Sequence, residues 1–366
     1  MAQSRTIEDA WRASKSDGNN FDALRLAAAA AVIVSHAFEI VGGPAAAEPL
    51  RTLTDGDASL GRVAVMTFFV LSGFLLARSW EAEPDLVAFA RKRALRIAPA
   101  LVVVVLVSIF LLGPMLTNAP LSDYATDDRT RAYLANIFFY SSSNALPGVF
   151  VDLQYKDVVN GPLWTLKFEV LCYVTLALFG AGKLLKPAIA AAFVAGCYGL
   201  GAALGDGPHD GGAFYLSRFV DLARPFFAGV LFALLASRIA LSSRMAIAAA
   251  AGLALSAPMG LLSETFALFG GYLVLWAGFA TTPLLKDAGR HGDFSYGLYL
   301  WGWPAQQIVQ TFVAPTHWAA NAALALPLAL LFAIASWRFV EKPALALKRR
   351  SSQEAGSTRL CAERPA

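Results

Sequence analysis

The chain is short of charge. Of its 366 residues only 15% are Asp, Glu, Lys or Arg, against roughly a quarter in an ordinary soluble domain. Hydrophobic residues make up 57%, and mean hydropathy is +0.54. Water-soluble cores cannot hide that much apolar surface, so lipid is the expected solvent. Cysteine is equally scarce: Cys172, Cys197 and Cys361 form an odd set with two thiols inside apolar stretches, which excludes a disulfide framework and any zinc spacing. Low charge with 12% aromatics excludes disorder, and 29 glycines without a period exclude collagen. No P-loop, G-x-G-x-x-G after a strand, G-x-S-x-G or H-E-x-x-H occurs.

Long apolar runs are what the chain has instead. Runs near the ~20 residues that cross a bilayer core lie at about 21–41, 61–80, 97–116, 162–182, 186–204, 216–236, 245–262, 264–283, 293–313 and 319–340. The expected fold class is therefore all-α, a polytopic membrane bundle of about ten transmembrane helices. Residues 1–20 form an N-terminal segment, 21–343 the membrane domain and 344–366 a polar tail expected to be disordered. Ala45-Ala46-Ala47 resembles a signal-peptide cleavage site, but the preceding region is long and mixed in charge and the run carries Arg25 and His36, so no cleaved leader is expected.

With ten crossings, 21 of the 30 Lys and Arg fall on the side of the termini and six on the other. The positive-inside rule makes both termini cytoplasmic and turns the long loops at about 42–60 and 117–161 outward. Three basic residues, Arg25, Lys167 and Arg224, lie within spans, where a charge costs at least ~2.5 kcal/mol and requires a partner or a polar cavity.

Arg25 and His36 are eleven residues apart in FDALRLAAAAAVIVSH. Eleven helical residues return to within ~20° of the start and rise about 16 Å, so both side chains share a face. Asp22, three residues before Arg25, can pair with it there. Glu169 lies ~10 Å below the outer surface in GPLWTLKFEVLCYV, at the expected depth of His36, and a carboxylate beside a His can fix its tautomer. The competing reading pairs Glu169 with Lys167, Arg224 or Arg62. Tyr173 shares Glu169's face, whereas Lys167 points nearly opposite. Ser72 and Gly73, near mid-membrane, read first as a close helix contact. Arg93 and Arg96 share one face, and two guanidiniums beside a cavity can hold phosphates as well as enforce topology. Asp221 offers Arg224 an internal partner, and the aromatic band FSYGLYLWGWP reads as packing. His209, His317 and His291 stand in loops without ligand-like neighbours, so no metal site is expected.

Taken in order, these segments resemble the membrane acyltransferase family 3, multispanning proteins that acylate sugars of bacterial surface polymers and exported glycans. The resemblance rests on Asp22, Arg25 and His36 in the first run, FFVLSGFLL at Phe68 to Leu76, the R-x-x-R of Arg93 and Arg96, and PLWTLKFEVLCY with Trp164, Glu169 and Tyr173. It continues through Phe226 to Gly229, FSYGLYLW at Phe294 to Trp301 and FVEKP at Phe339 to Pro343. Where many members read Y-L-W-H-x-P, this chain has Gly302 in place of the second His.

The resemblance implies an O-acyltransferase, in the first place an O-acetyltransferase, of a bacterial inner membrane. Its implied site has His36 and Glu169 as catalytic residues and Arg25, Arg93 and Arg96 as donor-binding residues. Asp22, Ser72, Trp164, Tyr173 and Tyr296 would line the pocket. No permanently bound cofactor is implied; acyl-CoA, chiefly acetyl-CoA, is the co-substrate. The partners are membrane lipid and a carbohydrate acceptor, with no nucleic acid. No SGNH-type soluble domain is appended, so the membrane unit completes the reaction alone or hands its acyl group to a separate periplasmic partner. His36 would act as a general base or through an acyl-His relay. A transporter or flippase is the rival reading, since ionisable residues also line transport paths, but matching interrupted helices in two halves are not evident.

Overall fold

A computed structural model describes residues 5–139, 144–205, 207, 210–280 and 285–347. His209, Cys361 and the tail beyond residue 347 lie outside the described residues. Among the described residues the long elements are all helices, and β pairing is limited to the isolated bridges Thr6–Ala240 and Thr117–Val149.

Each expected run falls on a helix. We number them after an N-terminal helix α1 (Ile7–Asp17): α2 (Phe21–Gly42), α3 (Leu60–Ala82), α4 (Leu86–Leu116), α5 (Gly161–Ala181), α6 (Pro187–Leu204), α7 (Gly211–Leu234), α8 (Ser243–Met259), α9 (Leu262–Phe279), α10 (Ser295–Phe312) and α11 (Trp318–Leu347). Seven of these, α2 to α6, α9 and α11, are long and apolar enough to cross a membrane. The other three depart for visible reasons: α7 carries Arg218, Asp221 and Arg224, α8 is short, and α10 carries Gln306, Gln307 and Gln310. The protein is an all-α polytopic membrane bundle.

Local chemistry sets the helix starts. Ser59, Asp85 and Ser242 each accept a hydrogen bond from a backbone N–H of the first turn, at 3.1, 2.6 and 3.3 Å, satisfying donors that a helix leaves free. The segment before α2 is more than a leader into the membrane. It forms α1, capped by Thr6 and Asp9 and docked with Ile7 and Ala10 fully buried.

Between helices in lipid the hydrophobic effect contributes little, and close packing takes its place. The most extensive helix contact joins α3 to α7. A Cβ on Gly73 would lie 1.8 Å from the Phe226 carbonyl oxygen, and one on Gly229 would lie 2.2 Å from that of Val70. Backbone therefore meets backbone at this crossing, and no larger residue fits either position. Around it the rings of Phe74, Phe226 and Phe227 are fully buried. Outward faces keep apolar side chains exposed, among them Phe110, Leu111 and Met115 of α4 and Leu330 and Leu331 of α11, as a lipid-facing surface requires.

Candidate active site

Five helices direct side chains into a cavity of about 100 Å³. Arg25 reaches it from α2, Ser72 from α3, Arg93 and Arg96 from α4, Glu169 and Tyr173 from α5, and Tyr296 from α10. Asp22 does not line it, but pairs with Arg25 at 3.2 Å. The Tyr173 hydroxyl donates to the Glu169 carboxylate, and the Tyr296 hydroxyl donates to the Ile97 carbonyl at 3.0 Å.

Arg93 and Arg96 share a face and end in different electrostatic states. Arg96 is held by Asp293 at 2.5 Å and Glu341 at 3.3 Å, and its guanidinium lies 5.5 Å from the Tyr296 ring centroid. Glu341 is 1% exposed and also accepts from Ser336 at 2.9 Å. Arg93 has no ion pair among the described residues, and its Nε is buried without a hydrogen-bond partner. Of the two, Arg93 is the cation available to an anionic ligand.

His36 lines a second cavity of about 430 Å³, together with Trp164, Glu39, Arg51, Arg62 and Asp221. Its Nδ1 is buried without a hydrogen-bond partner among the described residues, and the Trp303 ring packs against the imidazole edge to face with centroids 4.9 Å apart. Trp303 is itself fixed. Its Nε1–H donates to the Val158 carbonyl at 3.0 Å, Tyr155 packs on it at 4.8 Å, and a Cβ on Gly161 would come within 3.2 Å of the indole. Pro304 has no N–H for the Leu300 carbonyl four residues back, and Asn160 Nδ2 donates to that oxygen at 2.9 Å instead. Gln306 Nε2 donates to the Ile33 carbonyl at 2.8 Å, tying α10 to the turn of α2 that carries His36.

The two cavities share a wall. Val65, Thr165 and Tyr299 line both. The hydroxyls of Thr165 and Tyr299 are 2.6 Å apart, and each also reaches the Pro162 carbonyl, at 3.2 and 3.1 Å. The expected pairing of Glu169 with His36 is absent: Glu169 faces the arginine cavity and His36 the other, with no hydrogen bond between them. Equal depth does not set direction: α5 opens as a 3-10 helix over Gly161–Thr165, and how α5 is rotated against α2 is a tertiary property that counting along one helix does not give.

Beyond His36 the second cavity adjoins a third of about 940 Å³, with Gly56, Asp57, Arg62, Arg218 and Asp221 common to both. Asp221 receives Arg62 at 3.6 Å, Arg224 at 3.7 Å and Arg218 at 3.9 Å, and Arg224 also meets Glu264 at 2.5 Å. Arg224 thus ties α7 to α9 through Glu264, although its Nε has no hydrogen-bond partner among the described residues. The Lys167 ammonium lies 4.6 Å from the Tyr215 ring centroid and lines none of these cavities.

Against this geometry, a family model described as an acyltransferase domain matches residues 19–338. The chain belongs to this acyltransferase family. It is similar to an O-acetyl transferase of Shigella phage Sf6, 36% identical over 156 residues that make up 43% of this chain and 44% of that protein. It is also similar to nodulation protein 10 of Rhizobium leguminosarum bv. viciae, 26% identical in an alignment 362 residues long that covers 90% of this chain and 94% of that protein. The chain therefore matches less than half the length of the phage protein and nearly all of the nodulation protein. No solved structure matches it significantly.

Within this acyltransferase bundle several site residues carry no legible role in one dimension. Tyr299 could have been found, because it follows Tyr296 by three residues and so shares its face. Thr165, Asp293 and Glu341 give no such signal. Gly302, standing where many family members have a His, faces α2: a Cβ there would lie 2.6 Å from Ile33 Cγ1. The His is absent from a place where α2 and α10 leave it no room.

Proposed function

We propose that this protein is an O-acyltransferase, in the first place an O-acetyltransferase, that moves an acyl group from cytoplasmic acyl-CoA to a hydroxyl of a cell-surface or exported carbohydrate. Its place is the bacterial inner membrane, with Arg25 toward the cytoplasm. The observation that carries the reading is the back-to-back placement of an arginine-lined cavity and a histidine-lined cavity along one helix, α2.

Arg93, without an ion pair among the described residues, and Arg25 hold phosphates of the donor, and Arg96 keeps the chamber's shape by binding Asp293 and Glu341. The thioester reaches the shared wall from the arginine side. The acceptor hydroxyl arrives through the outer cavities beside His36. His36 removes the hydroxyl proton as general base, the oxygen attacks the thioester carbonyl, and the carbon–sulfur bond breaks. The CoA thiolate leaves and takes its proton from the imidazolium, so that ester and free thiol are the products. Glu169, on the donor side, accepts an N–H of the pantetheine arm, leaving His36 to be oriented by Trp303. The membrane unit does this alone or with a separate periplasmic acyl carrier.

The test is transfer of labelled acetyl from acetyl-CoA to surface glycan in membranes carrying wild-type or His36→Ala protein. Loss of general-base catalysis lowers the rate by about 10²–10⁴-fold. Transfer at the wild-type rate by a folded, inserted His36→Ala protein overturns the assignment.

A further inference from the structure

We infer that Glu39 positions the acceptor: its carboxylate accepts a hydrogen bond from the hydroxyl next to the one that is acylated, and the sugar unit so held is neutral. The inference rests on the acceptor side of the reading above, with His36 as base, and adds to it the class of sugar.

Glu39 follows His36 by three residues on α2, and both line the same cavity. Residues so spaced are neighbours on a helix surface, with Cβ atoms about 5–6 Å apart. A hydroxyl directed at His36 therefore has its ring neighbour within reach of Glu39, one step farther from Arg25. Among the described residues the Glu39 carboxylate accepts no hydrogen bond, and its ion partner, Arg51, stands at 3.7 Å, longer than a hydrogen bond. The other acids of the cavity are already used. Asp57 accepts the Ser263 N–H at 2.8 Å, and Asp221 receives Arg62, Arg224 and Arg218 at 3.6, 3.7 and 3.9 Å. Glu39 is thus the acid with its lone pairs left for a ligand.

Arg51 is set beside Glu39 by a pinned turn. Glu48, 4% exposed, accepts the backbone N–H of Arg51 at 2.8 Å and that of Leu60 at 3.1 Å, which fastens Pro49–Leu53 to the start of α3. A guanidinium that donates next to a carboxylate that accepts suits a hydroxyl, which does both. The charges of the cavity cancel, since Glu39, Asp57 and Asp221 stand against Arg51, Arg62 and Arg218. A sugar bearing a carboxylate, phosphate or amine would bring in a charge without a counter-ion, at a desolvation cost. A neutral hexose or deoxyhexose offers hydroxyls alone. The other cavity differs as an anionic donor requires, with Arg25, Arg93 and Arg96 outnumbering Glu169.

The experiment uses membranes containing the full chain as wild type, Glu39→Gln or Glu39→Ala, labelled acetyl-CoA, and surface glycan purified from the same strain with the gene deleted. Glu39→Gln should raise the apparent KM for glycan by about tenfold, the scale of a hydrogen bond to a charged group, and Glu39→Ala should raise it further. The KM for acetyl-CoA and the thermal midpoint in detergent should stay near those of wild type. NMR of the wild-type product should find the ester on a neutral sugar, beside a free hydroxyl. An unchanged glycan KM in both variants overturns the inference, as do equal rises in the two KM values, which would mark a structural role. An ester on a charged sugar, or on a hydroxyl without a free neighbour, overturns it as well. Absence of label transfer by wild-type protein refutes the reading above and this inference with it, an outcome distinct from transfer that ignores Glu39.

Discussion

The imidazole of His36 and the indole of Trp303 meet edge to face, with centroids 4.9 Å apart and planes at 75°. Among the described residues His36 Nδ1 has no hydrogen-bond partner, so ring packing, not a carboxylate, holds the proposed base in place. Such aromatic contacts contribute about 0.5–1.5 kcal/mol beyond their buried area, enough to favour one ring orientation. Trp303 follows the glycine that stands in place of the family's second His, and it is anchored by the loop before α5.

Trp303→Phe keeps a ring beside His36 and gives up the bond to Val158, which should reduce stability by about 1 kcal/mol and leave most activity. Trp303→Ala removes the ring. We expect kcat to fall by about 10²-fold, the effect of a misplaced catalytic group, with little change in donor KM, and stability to fall by about 3–5 kcal/mol. Steady-state kinetics and thermal unfolding in detergent measure both. A rise in KM with kcat unchanged would assign Trp303 to substrate binding instead.

Arg93 and Arg96 should separate under the same substitution. Arg93→Gln removes a cation with no ion pair and should weaken acetyl-CoA binding by about tenfold or more, the scale of a charge-assisted hydrogen bond, with stability nearly unchanged. Arg96→Gln leaves Asp293 and Glu341 without their cation and should destabilise the fold by about 3 kcal/mol, the low end for a buried pair, because Arg96 is 23% exposed. Calorimetric titration of the donor and thermal unfolding distinguish the two. Equal losses of affinity and stability in both variants would show the arginines to be interchangeable.

Docking of α1 should depend on acid pH. The Thr6 hydroxyl and backbone N–H, bonded to Asp9 at 2.7 and 2.9 Å, hold its carboxyl below the ordinary 3.8. A carboxyl depressed in the folded state adds stability above its unfolded pKa, and that stability is lost as pH falls through the folded value. Amide exchange in Ile7–Asp17, corrected for intrinsic rate, should therefore accelerate only below about pH 3.8. Asp9→Ala should show the faster exchange already at neutral pH. A wild-type profile that is flat through the acid range would remove the capping box from the docking of α1.

Much of the fold was legible because lipid leaves a chain few options. Backbone polar groups there must be satisfied within the segment, so an apolar run of sufficient length becomes a helix, and each of the ten expected runs did. Arg25, Ser72, Arg93, Arg96, Glu169, Tyr173 and Tyr296 were legible as a group, since so few ionisable or polar residues interrupt those runs. The pairing of Glu169 with His36 did not follow from their equal depth, because depth along each helix leaves open how α5 is rotated against α2. Residues 1–20 read only as an N-terminal segment, because an 11-residue amphipathic helix shows too little periodicity to separate docking from solvation.

By itself the sequence determined the solvent, the helices, the family and the residues too polar for their surroundings, because each of these follows from composition and spacing along the chain. Only the tertiary structure decided how those residues are used. Arg96 meets carboxylates 197 and 245 positions away, Arg93 forms no ion pair among the described residues, and Val65, Thr165 and Tyr299 close between donor cavity and histidine. Such relationships depend on how helices are rotated and how closely they pack, and periodicity along a single helix carries no information about its neighbours.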